Sequence, residues 1–219
     1  MSPLSLQTIK AKIRNELKTL NRSNNSVTVI AVSKKQPVKK IYNLIDLGHL
    51  DFGENQLQEI EKKWLPIKDK FPETRLHFIG TIQSKKIQRI FEVCDEIHSV
   101  DRIKIVKAIK ELEKKYNIKK SYFIQVNTGN EALKSGVNID DVDQFIEEAR
   151  SKYDLSIKGL MCIPPIKDNP ADHFKILKNI ASNHQIEYLS MGMSDDFNLA
   201  IQHGATHIRV GTLIFGERN

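Results

Sequence analysis

The sequence predicts an α/β protein, a single (β/α)₈ TIM-like barrel domain over residues 1–219 with an extra N-terminal helix. Three observations carry this expectation. Short β-rich runs alternate with longer helix-periodic segments along the whole chain, the pattern of a parallel sheet with helical cover. Eight such runs occur with no linker-like stretch between them, which favours a closed barrel over an open doubly wound sheet. The chain has 219 residues, and domains of this kind run from about 200 residues upward.

The elements follow in order. Residues 4–20 carry Leu6, Ile9, Ile13, Leu17 and Leu20 on one helical face, so a helix precedes the first strand. The expected strands are 27–33, 50–54, 75–80, 96–100, 121–127, 157–163, 186–192 and 206–211. Each is a short apolar-rich run between polar or glycine-containing segments, as in a sheet buried on both faces. Helical periodicity fills the intervals at 38–47, 56–70, 85–93, 102–116, 140–152, 171–183 and 195–203. No helix is expected after the eighth strand, and the N-terminal helix is available to cover that gap.

Composition narrows the function classes. The 40% apolar content suits a globular core, and no apolar run approaches the roughly 20 residues of a spanning helix. The first twenty residues have no continuous apolar stretch and no small-residue cleavage site, so no secretory signal is expected. Two widely separated cysteines, Cys94 and Cys162, form neither a disulfide framework nor a zinc spacing, which points to a reducing cytoplasm. The net charge of +7 raises nucleic-acid binding. The lysines are interspersed with acids, as in IKELEKKYNIKK, and aromatics are only 7%, so solvated helix faces are the expectation and no nucleic-acid partner.

In such a barrel the active site lies at the C-terminal strand ends. Those ends carry Ser33-Lys34-Lys35, Gly53-Glu54-Asn55, Gly80, Asn127-Thr128-Gly129, Gly192-Met193-Ser194 and, on the last strand, Arg209 followed by Gly211-Thr212. Ser194 opens the expected helix after strand seven, where free N–H groups favour an anion. Gly211 permits close backbone approach and Thr212 adds a hydroxyl. Simple capping by Ser194 and turning at Gly211 explain the same residues equally well. Asp195 and Asp196 would have to point away from any phosphate. Lys34 and Lys35 are adjacent on a strand end, so only one faces the mouth. A lysine there can act as an amine toward an aldehyde; two solvated lysines opening a loop is the plainer reading. Glu54 is a candidate mouth carboxylate without an assigned role. His77 and His98 read as packed or hydrogen-bonded strand residues. His173, His184, His203 and His207 have no metal spacing, and Trp64 and Phe71 read as helix-face packing.

Taken together, AVSKKQP (31–37), FGENQLQE (52–59), HFIGTIQSKK (77–86), QVNTGNEALKSG (125–136), GLMCIPP (159–165) and LSMGMSDDFNLAIQHGATHIRVGTLIFGER (189–218) resemble, in order, a known family. It is the YggS or PROSC family of pyridoxal phosphate homeostasis proteins, related to the N-terminal barrel of alanine racemase. Ordered blocks over nearly the whole chain are far more specific than one short motif. The resemblance implies that pyridoxal 5′-phosphate (PLP) is the cofactor and that Lys34 carries it as a Schiff base. It also implies phosphate binding by Ser194, Gly211 and Thr212, Arg209 against the pyridine nitrogen, and Asn55 and Met191 lining the ring pocket. Two positions depart from the family pattern. Lys85 stands where an asparagine is usual, and Lys35 where a threonine or another small or apolar residue is commoner.

The expected function is a PLP-binding protein that buffers or delivers the cofactor without catalysis, as a monomer, with PLP-dependent apo-enzymes as recipients. The alternative is a weak PLP-dependent amino-acid racemase; an RNA-binding barrel is a third reading. Two-base racemisation needs groups on both faces of the substrate. In alanine racemases the opposing tyrosine comes from a second domain, which is not expected here. None of Tyr42, Tyr116, Tyr122, Tyr153 or Tyr188 falls at a predicted strand C-terminus. A guanidinium against the ring nitrogen also disfavours its protonation and weakens the electron sink.

Overall fold

The computed structural model describes residues 6–217. Helix α1 (Leu6–Thr19) buries Leu6, Ile9, Ile13 and Leu17, the stripe that its periodicity dictates. Residues 4 and 5, where this helix was expected to start, lie outside the described residues. The strands are β1 (Thr28–Val32), β2 (Asp51–Glu54), β3 (Arg75–Phe78), β4 (Glu96–Val100), β5 (Ser121–Asn127), β6 (Val137–Asn138), β7 (Ile157–Met161), β8 (Tyr188–Ser190) and β9 (His207–Val210). Eight of them form a closed parallel barrel in the order β1-β2-β3-β4-β5-β7-β8-β9, closed by β9 against β1 with Ala31 opposite Val210. The two-residue β6 lies beside the end of β5 and outside this ring.

Between the strands run α2 (Val38–Asp46), α3 (Leu57–Glu59), α4 (Leu65–Lys70), α5 (Ile87–Val93), α6 (Ile103–Tyr116), α7 (Val142–Ser151), α8 (Pro170–Asn183) and α9 (Phe197–Gln202), and α10 (Thr212–Phe215) closes the series. The strand alternation sorts the side chains into two cores. Val29, Ala31, Phe52, Leu76, Phe78, Leu160 and Leu189 pack outward against the helices in one continuous apolar cluster. Inward-facing Ile30 and Val32 fill the barrel itself.

Four differences from the sequence expectation have physical causes. The expected helix 56–70 is interrupted by a π-helical segment, Ile60–Trp64. This segment brings Lys63 and Trp64 toward the sheet, where both meet Glu54. Short 3₁₀ turns, Ser84–Lys86 and Ile139–Asp141, open α5 and α7. The helix expected at 195–203 starts only at Phe197, because Met193 to Asp196 form a turn in which Asp196 Oδ1 accepts the Met193 N–H at 2.6 Å. A short helix, α10, does follow the last strand. Its Phe215 carbonyl accepts from Lys40 Nζ at 2.6 Å, which ties it to α2. The N-terminal helix sits against α9: Gln202 Nε2 donates to Glu16 Oε1 at 2.8 Å, and Arg22, just past α1, donates to the Ile201 and Ala205 carbonyls.

Candidate functional site

The C-terminal mouth of the barrel holds a cavity of about 540 Å³ lined by Val32, Lys34, Asn55, Gln56, Ile79, Gly80, Thr81, Gln125, Ile163, Met193, Ser194, Asp195, Arg209, Gly211 and Thr212. These come from seven of the eight barrel strands or the loops just beyond them, so closure of the ring is what brings them together.

Lys34 sits two residues beyond Val32, on the inward side of β1. Its loop is held from below. Ser33 continues the ladder through its N–H to the Gly53 carbonyl at 3.0 Å. Lys63 Nζ donates to the Ser33 carbonyl at 2.7 Å. The Glu59 carboxylate accepts the Lys35 N–H at 2.7 Å. Lys35 takes a left-handed φ of 58°, which turns its side chain into solvent while half-buried Lys34 stays at the cavity. Of the adjacent pair, the structure places Lys34 alone in the cavity lining.

Arg209 forms the floor. It is 4% exposed, and its guanidinium donates to Ser190 Oγ at 2.8 Å and to the Cys162 carbonyl at 2.9 Å. Among the described residues no carboxylate forms an ion pair with it. Burial pulls its pKa below the usual arginine range. A buried guanidinium that meets only neutral oxygens can still donate further into the cavity, and it cannot accept.

Ser194, Gly211 and Thr212 converge on one wall. Ser194 lies in the turn before α9 rather than in the helix, and Gly211 precedes α10, whose first N–H groups precede its own hydrogen-bond ladder. The Asp196 carboxylate is folded back onto its own turn, and exposed Asp195 lies in the lining. Gly211 is informative because the protein does not need it. Its φ of −114° suits any residue, and an added Cβ would meet only Val32 at 3.4 Å. Gly80 differs: an added Cβ there would overlap the Asn55 carbonyl at 2.1 Å, so backbone packing dictates that glycine.

Two expectations need correction. Met191 is fully buried in the apolar cluster outside the barrel, because Ser190 faces inward to Arg209 and the next residue faces out. The methionine in the cavity lining is Met193. Glu54 is not a mouth carboxylate. It faces the helices and accepts at one oxygen from Lys63, Ser33 and Trp64 at 2.6, 2.7 and 3.1 Å. Sequence reasoning also passed over Ile79, Thr81, Gln125 and Ile163 as lining residues. For Gln125 the signal was available, since it is a polar residue inside the apolar run of β5; its Nε2 donates to the Ser135 carbonyl at 2.9 Å.

A closed parallel barrel whose mouth gathers an amine, a buried guanidinium and hydroxyl donors is, as a class, a barrel that receives a small anionic molecule with acceptor atoms. Comparison with known proteins makes this specific. The family model described as alanine racemase, N-terminal domain, matches residues 4–219. A pyridoxal phosphate homeostasis protein of Aquifex aeolicus is 35% identical, covering 97% of this chain and 96% of its own. One from Pseudomonas aeruginosa is 38% identical, covering 96% and 93%. The structure of PipY from Synechococcus elongatus with PLP bound is 30% identical with a TM-score of 0.80, covering 93% of this chain and 100% of that one. Alanine racemase from Corynebacterium glutamicum shares the fold at 16% identity and a TM-score of 0.67; the match covers 62% of that longer chain. The chain belongs to the alanine racemase N-terminal domain family and, within it, to the pyridoxal phosphate homeostasis proteins.

Proposed function

We propose that this protein binds PLP in the mouth cavity and acts in PLP homeostasis, buffering the cofactor or handing it to PLP-dependent apo-enzymes, without catalysis of its own. The observation that carries the reading is the convergence of Lys34, Arg209 and Gly211 on one cavity. Lys34 would hold the aldehyde carbon. Arg209, which has no carboxylate ion-pair partner among the described residues, would face the ring nitrogen. Ser194, Thr212 and the backbone at Gly211 would take the phosphate, and Gly211 leaves the room that a side chain would fill. Asn55 and Met193 would flank the ring. The 30% identical PipY structure with PLP bound supports the assignment. When bound, the cofactor supplies an electron-withdrawing ring that stabilises charge at an amino-acid α-carbon. Arg209 works against that capacity, because a guanidinium leaves the ring nitrogen unprotonated.

The carrier reading is favoured over a racemase by the lining itself. None of the five tyrosines borders the cavity, so no phenol stands opposite Lys34 as a second acid or base. The protein is proposed to work as a monomer in the cytoplasm. No described helix is long and apolar enough to cross a membrane. Both cysteines are buried free thiols, which suits a reducing compartment.

Borohydride reduction of protein incubated with PLP, followed by peptide mapping, tests the assignment. Phosphopyridoxyl is expected on Lys34 and absent from the Lys34→Ala variant; label on Lys35 with none on Lys34 would overturn it. Turnover of any amino-acid stereoisomer at about 1 s⁻¹ or faster would overturn the carrier reading.

A further inference from the structure

Below the cavity, the barrel interior holds a continuous polar chain that the mouth site does not use directly. Arg209 Nη1 donates to Ser190 Oγ at 2.8 Å, and Ser190 Oγ lies 2.9 Å from His98 Nδ1. His98 Nε2 is 3.2 Å from Glu96 Oε2, and the same oxygen is 3.2 Å from His77 Nδ1. His77 Nε2 is 3.0 Å from Asp51 Oδ1, and Arg75 Nη2 meets Asp51 Oδ2 at 2.6 Å. His77 and His98 are 1% and 0% exposed, so solvent cannot make up for a wrong proton.

Hydrogen-bond accounting leaves two arrangements of the protons, and charge balance decides between them. Each ring nitrogen of His77 faces a carboxylate oxygen, Asp51 on one side and Glu96 on the other. Nδ1 also lies 3.1 Å from His98 Nε2, so a neutral His77 could accept there from His98. That arrangement would turn the same lone pair on Glu96 at 3.2 Å and leave Glu96, which has no lysine or arginine ion-pair partner among the described residues, without a counter-charge. A second proton on His77 supplies it. The shared proton lies on the imidazole, the more basic partner, and not on Glu96. His98 Nε2 also faces Glu96 and therefore donates to it. Its Nδ1 is then an acceptor, Ser190 donates to it, and the Ser190 oxygen is left to accept from Arg209. Other charged and titratable groups around His77 are consistent with this. His207 lies ring to ring with His77 and His98, its Nε2 4.0 Å from Glu96 Oε2, and it is neutral because burial pushes it down to about 4. Burial likewise pushes His98 down to about 3. Burial opposes a charge on His77, yet the bonds to Asp51 and Glu96 outweigh it and hold its pKa above the ordinary value.

We propose that His77 is a buried imidazolium at neutral pH and that, through Glu96, His98 and Ser190, it locks Arg209 in one orientation toward the mouth cavity. His77, Glu96, His98 and Ser190 are positioning residues; none of them borders the cavity. From Arg209 to Glu96 every donor points away from the mouth. The upper end is a guanidinium, which keeps its proton. The chain is therefore a lock and not a proton wire. The coupling to cofactor binding rests on the reading that Arg209 meets PLP; the proton assignment does not.

The test uses the full chain labelled with ¹⁵N-histidine, free of PLP, near neutral pH. The expected NMR result is two protonated nitrogens on His77 and a neutral His98 protonated at Nε2 only. A neutral His77 overturns the proposal. So does one equivalent of zinc bound by the wild-type protein and lost in His98→Gln, because a cation would then occupy the triangle of His77 Nδ1, His98 Nε2 and Glu96 Oε2. For the coupling, Ser190→Ala should leave the His77 signals in place and weaken PLP binding about fivefold, the loss of one hydrogen bond. Unchanged affinity overturns the lock. Failure of Lys34 labelling in wild type would strike the cofactor assignment instead and leave the NMR result standing.

Discussion

Lys63 Nζ lies 2.6 Å from Glu54 Oε1 behind the strand that precedes Asn55, and both side chains are buried, at 7% and 0% exposure. The pair supports the Lys34 loop, because the same ammonium donates to the Ser33 carbonyl. Removing one member leaves a buried charge without its partner, which costs far more than the pair itself contributes. Lys63→Met should therefore destabilise the protein by about 3 kcal/mol, read as a lower urea midpoint. The double variant Glu54→Leu, Lys63→Met should recover part of that loss. A loss in the double variant equal to the sum of the Glu54→Leu and Lys63→Met losses would mean that the charges are not coupled.

Two glycines at the mouth should respond in opposite ways. At Gly211 an added Cβ meets only Val32 at ordinary contact distance, whereas at Gly80 it overlaps the Asn55 carbonyl. Gly211→Ala should keep the thermal stability of the PLP-free protein within about 0.5 kcal/mol of wild type and weaken PLP binding by about tenfold or more. Gly80→Ala should destabilise the PLP-free protein itself. Calorimetry together with a PLP titration distinguishes the two. Tight PLP binding by Gly211→Ala would remove that residue from the phosphate wall.

Acid should weaken the fold before the carboxylates titrate. His49, His98 and His207 are buried and neutral, pushed by loss of solvation down to about 4, 3 and 4. In the unfolded chain each takes up a proton near pH 6.5. Between about pH 6.5 and 4 the unfolded state binds more protons than the native state, so stability falls as the pH drops through that window. His77 acts in the opposite sense: its raised pKa stabilises fully below about 6.5, and that contribution is lost as the pH rises through the folded value. Asp51 and Glu96, held below the usual carboxylate range chiefly by their hydrogen bonds to His77, stabilise above about pH 4 and lose that contribution at lower pH. The urea midpoint should be lower near pH 5 than near pH 7; a higher midpoint at pH 5 would contradict the neutral assignment of the three histidines.

The thiols should be silent in the native state. Cys94 and Cys162 are fully buried, and burial raises both pKa values, Cys162 to about 12. A thiolate-selective reagent should label neither until denaturant is added, and then both. Rapid native labelling of Cys162 would show that the apolar layer between the barrel and its helices opens to solvent.

How far the sequence reveals this molecule depends on which regularity was being read. Strand positions were legible because the barrel strands are short apolar runs between polar turns, and the eight predicted runs coincide with the eight barrel strands. The π-helical turn at Ile60–Trp64 was not legible, since 3.6-residue periodicity cannot register one widened turn. Met191 was placed in the pocket through a family motif, although the alternation of Tyr188, Leu189 and Ser190 already turns it outward. The polar interior was invisible for a different reason. Asp51, His77, Glu96 and His98 come from three strands, and nothing in a linear sequence says that their inward faces meet.

Ala31 stands beside Val210 where the ring closes, so Lys34 near the start of the chain and Thr212 near its end are neighbours only once the last strand is in place. A chain truncated before β9 keeps Lys34 and Ser194 but lacks Arg209, Gly211 and Thr212. On the proposed assignment, PLP binding therefore requires the closed ring and should be lost in a chain truncated before β9.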